Sequence, residues 1–395
     1  MNWIRQTLAV TALNLQTIPE RLGSSGVAMV GIAGVVIVLV AVLSIAAGFT
    51  AAMQGSGSEL RALVVRGGAD TEMVSILPGP EVDVIKQSPG IRRDGQTPLV
   101  SAEVYVLIEQ AKKSTGTGAN VPMRGVERTV LQVRDEVRIV EGRMFEFGTN
   151  EVIAGRAASG QFEGLTVGAD VRSGQNTWKV VGLFAAAGGV AETEVWADAR
   201  VLQGAYRRGN TYQVVVATLD SSQALTTFRD WLTSNPQVNV DVVRETDYYS
   251  EKSRSLNSLI QTIGFGIAGL MGVGAVFGAI LTMYTAVSTR SREIATLRAL
   301  GFNATSVVVS VLAESLALAA IGGMIGGLGA YAAFNGYQTS TINFQTFSQV
   351  AFAFRVTPEL LALGLAYALL MGLLGGLFPA IRAARLPIPS ALREL

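Results

Sequence analysis

The chain has 395 residues, 49% hydrophobic and only 15% charged, with a formal net charge of +1 and neither Cys nor His. That composition excludes disulfides, thiolate metal sites and the commonest general base, and the lack of a basic run argues against a nucleic-acid partner. The low charge density points to a chain partly dissolved in lipid, because a charge at the bilayer centre costs roughly 2.5–3.5 kcal/mol even on the mildest scale.

In chain order, residues 1–21 place Ile4, Leu8, Thr11 and Leu15 one helical turn apart, with Arg5 and Gln6 off that face and Pro19 closing the segment. This predicts a short amphipathic helix along the inner membrane interface; the alternative is that it merely begins the first span. The charge-free run Leu22–Ser58 holds the first span, at 22–50. Its apolar core is too long for a signal peptide and no cleavage site follows, so it reads as an uncleaved anchor.

Residues 51–254 have a soluble composition and mix strands with helices without regular βα alternation, which predicts an α+β domain with one core or two small ones. Leu60–Val65 alternates weakly, Trp178–Phe184 and Gln213–Thr218 read as strands, and Ala224–Leu232 reads as a helix with Leu225, Phe228 and Leu232 on one face. The Gly/Thr-rich stretch Ser114–Asn120 predicts a flexible loop or hinge. Carboxylates are scattered, Asp135–Glu136 reads as a solvated turn, and no group of residues suggests a catalytic or metal site.

Three further spans follow at 255–287, 303–334 and 359–381, the third span carrying one acid, Glu314. Between them lie a short loop at 288–302 and another at 335–358, and 382–395 form a tail. Arginines concentrate in the N-terminal flank, the 288–302 loop and the tail, so these face the cytoplasm, while 51–254 and 335–358 lie outside, in the periplasm. The expected fold is an α-helical membrane protein with four transmembrane helices and a large α+β periplasmic domain inserted between the first and second spans.

Gly264–Gly269 matches G-x-G-x-x-G, but inside a span it signals close helix packing, not a dinucleotide site. The same holds for Gly322 with Gly326, Gly323 with Gly327, and Gly372 with Gly376, since small residues four apart let helix backbones approach where lipid offers no hydrophobic drive. No P-loop is present, so ATP phosphates are not bound by this chain. Glu314, a carboxylate in a span, is a functional candidate by default. A structural role, bonded to a neighbouring helix or to Arg290 or Arg298, is favoured over a transport role because no partner acid or His accompanies it along the spans.

Ser288–Phe302, STRSREIATLRALGF, is the most informative stretch. Ile294, Leu297 and Leu300–Gly301 form an apolar edge, and Arg290, Arg292, Glu293 and Arg298 offer polar contacts, which suits a short helix docking in a groove of a soluble partner. A solvated loop whose arginines only set orientation is the alternative, and spacing leaves the two balanced. The run Arg290-Ser-Arg292-Glu293-Ile294-Ala-Thr-Leu297-Arg298-Ala299-Leu300-Gly301 resembles the R-x-R-E-I-x-x-L-R-A-x-G coupling helix of the MacB/FtsX/LolC-type ABC permeases, the mechanotransmission or type VII group. The tail, from Pro379-Ala380 through Arg382-Ala383-Ala384-Arg385-Leu386-Pro387 to Ala391-Leu392-Arg393-Glu394, is similar to that family's ending. More loosely, Gly142-Arg143 with Phe145 and the run Asn150–Gly155 resemble its periplasmic domain.

This resemblance implies a non-catalytic permease of the bacterial inner membrane working as a dimer, with itself or with a paralogue. Each coupling helix would sit on one of two copies of an ABC ATPase subunit, which would bind the ATP and Mg. No fused ATPase domain is present here, so that subunit is expected to be a separate polypeptide. A periplasmic adaptor and an outer-membrane channel are further expected partners, for efflux or extraction of a drug, peptide, lipid or lipoprotein. An FtsX-like scaffold regulating a cell-wall hydrolase without transport is the alternative; the size of the external domain favours the export branches.

Overall fold

The computed structural model describes residues 3–16, 22–342 and 348–388. Two compact units divide the chain: a helical unit of Met1–Ala47, Asn257–Tyr337 and Phe354–Leu395, and a strand-rich unit of Gly48–Leu256 with Gln338–Ala353.

The helical unit is built on α1 (Trp3–Gln16), α2 (Leu22–Gln54), α3 (Glu245–Thr289), α4 (Ser291–Ala299), α5 (Ala304–Phe334) and α6 (Pro358–Ala384), the boundaries between the units falling within α2 and α3. By length and apolarity α2, α3, α5 and α6 could each cross a membrane. The second of these starts ten residues before the expected 255, because Glu245 and Asp247 in its first turn favour a helix N-terminus. Thr357 caps α6 by accepting a hydrogen bond from Leu360 N–H, with Pro358 at the first helical position.

The face of α1 that meets α5 differs from the apolar one marked by periodicity. Thr7 donates to Ser306 Oγ at 3.1 Å, Asn14 bonds Ser310, and Val10 is buried, whereas Ile4 and Leu8 are exposed. Hydroxyl and amide groups hold this helix to its neighbour and leave an apolar edge free. Pro19 and the residues 389–395 of the tail motif lie outside the described residues.

In the strand-rich unit a ten-stranded sheet runs in the spatial order Val240–Arg244, Arg61–Arg66, Val214–Thr218, Val100–Ala111, Gly118–Val126, Val195–Asp198, Glu151–Gly155, Asn176–Ala185, Arg138–Gly142, with Asp170–Ser173 also paired to Asn176–Ala185. Its main core gathers Phe162, Trp178, Phe228, Met123 and Ile85, and a second cluster forms around Trp196, Phe184 and Phe145. Each fully buried apolar side chain of this size contributes roughly 1.5–3 kcal/mol. The strand expected to alternate, Arg61–Arg66, is instead buried over its first five residues, because strands flank it on both sides. Asn176–Ala185 is the alternating one, with Trp178, Val180 and Phe184 inward and Lys179 outward. Leu225, Phe228 and Leu232 line the buried face of the helix Ala224–Ser234.

Two loop assignments are corrected. Ser114–Asn120, expected as a flexible loop or hinge, is the turn and first residues of an antiparallel hairpin whose register closes at Ala111 opposite Gly118. Lys112 N–H donates to Thr117 O at 2.9 Å, and Gly116 takes φ +68°, a conformation that costs glycine little. The 335–358 segment is more than a short loop. It carries the hairpin Gln338–Ile342/Gln349–Ala353, which belongs to the strand-rich unit: Ala351 N–H donates to Thr193 Oγ1 at 3.0 Å, and the Phe352 and Phe49 rings meet edge to face at 5.7 Å.

Candidate functional site

The motif run at 290–301 folds as a helix with defined ends. α3 stops at Thr289, Arg290 is non-helical, and α4 begins at Ser291. At its other end Gly301 N–H donates to Arg298 O and Phe302 N–H to Leu297 O, both at 3.1 Å, with Gly301 at φ +91°. This paired pattern is a Schellman motif, whose left-handed position strongly favours Gly. The glycine that ends the sequence motif therefore has a backbone reason: it turns the chain directly into α5.

Three of the eight candidate coupling residues face their own unit, which corrects the reading of Ile294 as part of an outward apolar edge. Ile294 is buried among Met283, Val287, Val307, Val311 and Ala383. Arg290 is buried and donates to Glu314 Oε2 at 2.9 Å, so of the two arginines considered as partners for that acid, Arg290 forms the ion pair. Arg298 donates to the Ala384 carbonyl at the end of α6. Arg292, Glu293, Leu300 and Gly301 are exposed, Leu300 at 72%, and Leu297 is half-buried. The helix is thus clamped to α3, α5 and α6 on one side and presents arginine, glutamate and leucine on the other.

Glycine sets how closely the long helices approach. A Cβ on Gly322 would lie 2.8 Å from the Met29 carbonyl oxygen, and one on Gly326 would lie 2.6 Å from that of Ala33, both on α2. On the adjoining face, one on Gly323 would meet Ala368 at 2.7 Å and one on Gly327 would meet Leu361 at 3.3 Å, both on α6. Gly372 and Gly376 return the contact from α6 onto Ala319 and Ser315 of α5. The two staggered pairs on α5 therefore serve two different neighbours. In Gly264–Gly269 only Gly264 is close-packed, a Cβ there reaching Val42 at 2.7 Å; Gly266 and Gly269 face open space.

Sequence reasoning missed a buried ion network in the strand-rich unit. Arg124 bonds Glu72 at 2.7 Å, Glu103 at 2.8 Å and both oxygens of Glu194 at 2.7 and 2.8 Å. Arg134 bridges Glu103 at 3.0 Å and Glu245 at 3.1 Å, and Arg61 binds Glu245 at 2.5 Å and Glu136 at 2.6 Å. Several carboxylates scattered along the chain converge in space; Glu136 is a close, largely buried partner of Arg61 at 2.6 Å, while Asp135 meets the same arginine at 3.5 Å from a side chain 88% exposed. Arginines inside otherwise apolar strands, as in RALVVR and VPMRGV, were the available signal.

Burial works against the Glu103 carboxylate, yet Arg134 and Arg124 outweigh it and hold its pKa below the ordinary range. For Glu72 burial prevails over Arg124, and its pKa is raised. Burial also opposes the Arg124 charge, but Glu194, Glu72 and Glu103 more than offset it and lift its pKa well above the usual value. The network also joins two distant chain segments. Glu245 opens α3 and accepts from Ser58 N–H at 3.0 Å as well as from Arg61, so the chain leaving α2 and the chain entering α3 meet at one carboxylate.

Comparison with known proteins places these features. Residues 25–235 match the MacB-like periplasmic core domain and residues 265–388 match the FtsX-like permease C-terminal region. Among solved structures, the periplasmic region of MacB from Actinobacillus actinomycetemcomitans is similar at 10% identity and TM-score 0.38, covering 51% of this chain and 96% of that one. The extracellular domain of the noncanonic ABC-type transporter YknZ from Gram-positive bacteria is similar at 14% identity and TM-score 0.35, covering 47% and 100%. A domain of a permease protein from Porphyromonas gingivalis is similar at 9% identity and TM-score 0.28, covering 46% and 84%. No curated protein matches the chain. Candidate spans together with a periplasmic-type core domain make this a membrane protein with an extracytoplasmic domain. Since the MacB-like core domain covers more than half of its length and the FtsX-like region follows, the chain belongs to the MacB/FtsX-like permease family.

Proposed function

We propose that the chain is the force-transmitting permease subunit of an ABC transporter of the bacterial inner membrane, itself without enzymatic activity. A separate ATPase subunit, present in two copies and holding the ATP and Mg, docks on α4. Closure of the ATPase pair then moves α3 and α5 and, through them, the periplasmic domain, driving export or extraction of a substrate from the outer face of the membrane. The observation that carries this reading is the clamp on α4: Arg290 to Glu314, Arg298 to Ala384 O and Ile294 in the bundle core tie it to three long helices, while Arg292, Glu293 and Leu300 stay free for a partner. A solvated loop would have no use for such anchoring.

A second permease, a copy or a paralogue, fits α3. At roughly 1.5 Å per residue its 45 residues extend about 67 Å, against a hydrocarbon core of about 30 Å. Leu259, Ile263, Leu270, Val273 and Phe277 are exposed on it and, with Gly266 completing the series, fall at alternating spacings of four and three. That is the seam of a paired helix, and counted from a cytoplasmic Thr289 its upper end lies beyond the lipid.

The test is co-purification of the ATPase with variants of the exposed face. Leu300→Asp should weaken association by roughly 1–3 kcal/mol, as expected for an interface anchor. Glu293→Arg should add to the loss by placing another positive charge beside Arg292. Leu300 is exposed, so thermal unfolding of the permease should not change. An ATPase that stays bound and fully stimulated in both variants would mean that force enters elsewhere.

A further inference from the structure

On the strand-rich unit a groove of about 570 Å³ opens between the strand ends and the helix Ala199–Ala205. Val100, Val126, Phe147 and Tyr212 form apolar walls. Five charged side chains also line it, and their accounts differ. Lys86 and Glu127 neutralise one another at 2.8 Å, and the second Glu127 oxygen accepts from Ala102 N–H at 3.0 Å. Asp198 is engaged by Gly148 N–H and Arg200 N–H, both at 2.7 Å. Arg128 and Arg200 are exposed and, among the described residues, form no ion pair. The Arg128 guanidinium lies over the Phe147 ring at 4.8 Å, which holds the charge against an apolar wall.

Two arginines without counter-charges beside aromatic and aliphatic surface, in a volume suited to a small ligand, define one ligand chemistry. We propose that this groove binds an organic anion with an apolar body, an amphiphile bearing a carboxylate, sulfate or phosphate head. The guanidinium groups of Arg128 and Arg200 take the oxyanion in paired N–H···O bonds, and the body lies along Phe147, Val100 and Val126. The lining carries three cations against two acids, with Glu127 paired to Lys86 and Asp198 held by two backbone N–H groups, so the groove presents a net positive charge to the head group. Binding of this kind requires no ATPase and stands whether or not α4 docks on one.

The chain has no native Cys, so a single label is specific. A cysteine at Thr97, an exposed residue of the groove lining, carries an environment-sensitive dye on the full chain in nanodiscs of zwitterionic lipid. Cholate below its micellar concentration is the anionic probe, and dodecyltrimethylammonium below its own is the cationic comparator. The expected result is a saturable response to cholate alone, weakened roughly tenfold or more in the Arg128→Ala/Arg200→Ala variant and also weakened in Phe147→Ala. Both arginines are exposed, so the double variant should unfold at the parent temperature. A dye at Val140→Cys, an exposed position of the same unit outside the groove lining, reports any non-specific effect of the probes. A non-saturable response, an equal response to the cation, the same response at position 140, or an unchanged affinity in the double variant would each overturn the assignment.

Discussion

The two units solve the packing problem by opposite means. In the helical unit, long apolar helices touch through glycine: Gly322 and Gly326 against α2, Gly323 and Gly327 against α6. In the strand-rich unit the core is filled with Trp178, Trp196, Phe162 and Phe228, and next to it charge is buried in quantity. The reason is the solvent each is built for. Lipid gives no hydrophobic reward for bringing two helices together, so close backbone approach supplies the attraction. Water drives large side chains inward, and the gain is sufficient to carry a network of arginines and glutamates whose desolvation is costly. Both units nevertheless hide an Arg–Glu pair: Arg290–Glu314 behind α4, and Arg61–Glu245 at the first residue of α3.

The largest expected effect tests the second half of that comparison. Arg124→Met leaves Glu72, Glu103 and Glu194 without their shared counter-charge and should destabilise the strand-rich unit by roughly 3–5 kcal/mol. Denaturant unfolding followed through tryptophan emission would measure it, and an unchanged midpoint would mean that the network carries no structural load. Next in size, Gly326→Leu forces a side chain against the Ala33 carbonyl and Val36 and should cost roughly 1–3 kcal/mol in the helical unit. If the purified chain keeps its stability and assembly, the contact between α5 and α2 is looser than the glycines indicate.

The smallest effect is the most discriminating. Glu72 has a raised pKa in the fold, so its contribution to stability is fully present below the ordinary carboxylate range and lost as pH rises through the raised value. Glu103 has a lowered one, so its contribution is present above that range and lost as pH falls through the lowered value. Glu72→Gln keeps an acceptor for Arg124 and removes the buried charge. The variant should be at least as stable as the parent at neutral pH and should lose less stability as pH rises above the window in which ordinary carboxylates titrate. Acid unfolding below that window should persist, because Glu103 is untouched. Melting temperature against pH would decide; parallel curves for parent and variant would remove Glu72 from the account.

Four long apolar helices, an α+β domain, the glycine pairs and the 290–301 motif are all legible in the amino-acid order. Each of these is written locally: apolar length, charge asymmetry and four-residue spacing depend on neighbours in the chain. It also marked Leu225, Phe228 and Leu232 as one buried helix face, since 3.6-residue periodicity is a local property. Which way each motif residue looks depends instead on the helices packed around it. Ile294 and Leu300 are equally apolar within one short helix, yet one is core and the other surface, because α3, α5 and α6 cover only one side. Likewise Glu72, Glu103, Glu194 and Glu245 are far apart in sequence and look like ordinary surface acids. The strand order that sets Gly118–Val126 beside Val100–Ala111 places Arg124 next to Glu103, and that order rests on non-local pairing that no spacing along the chain records.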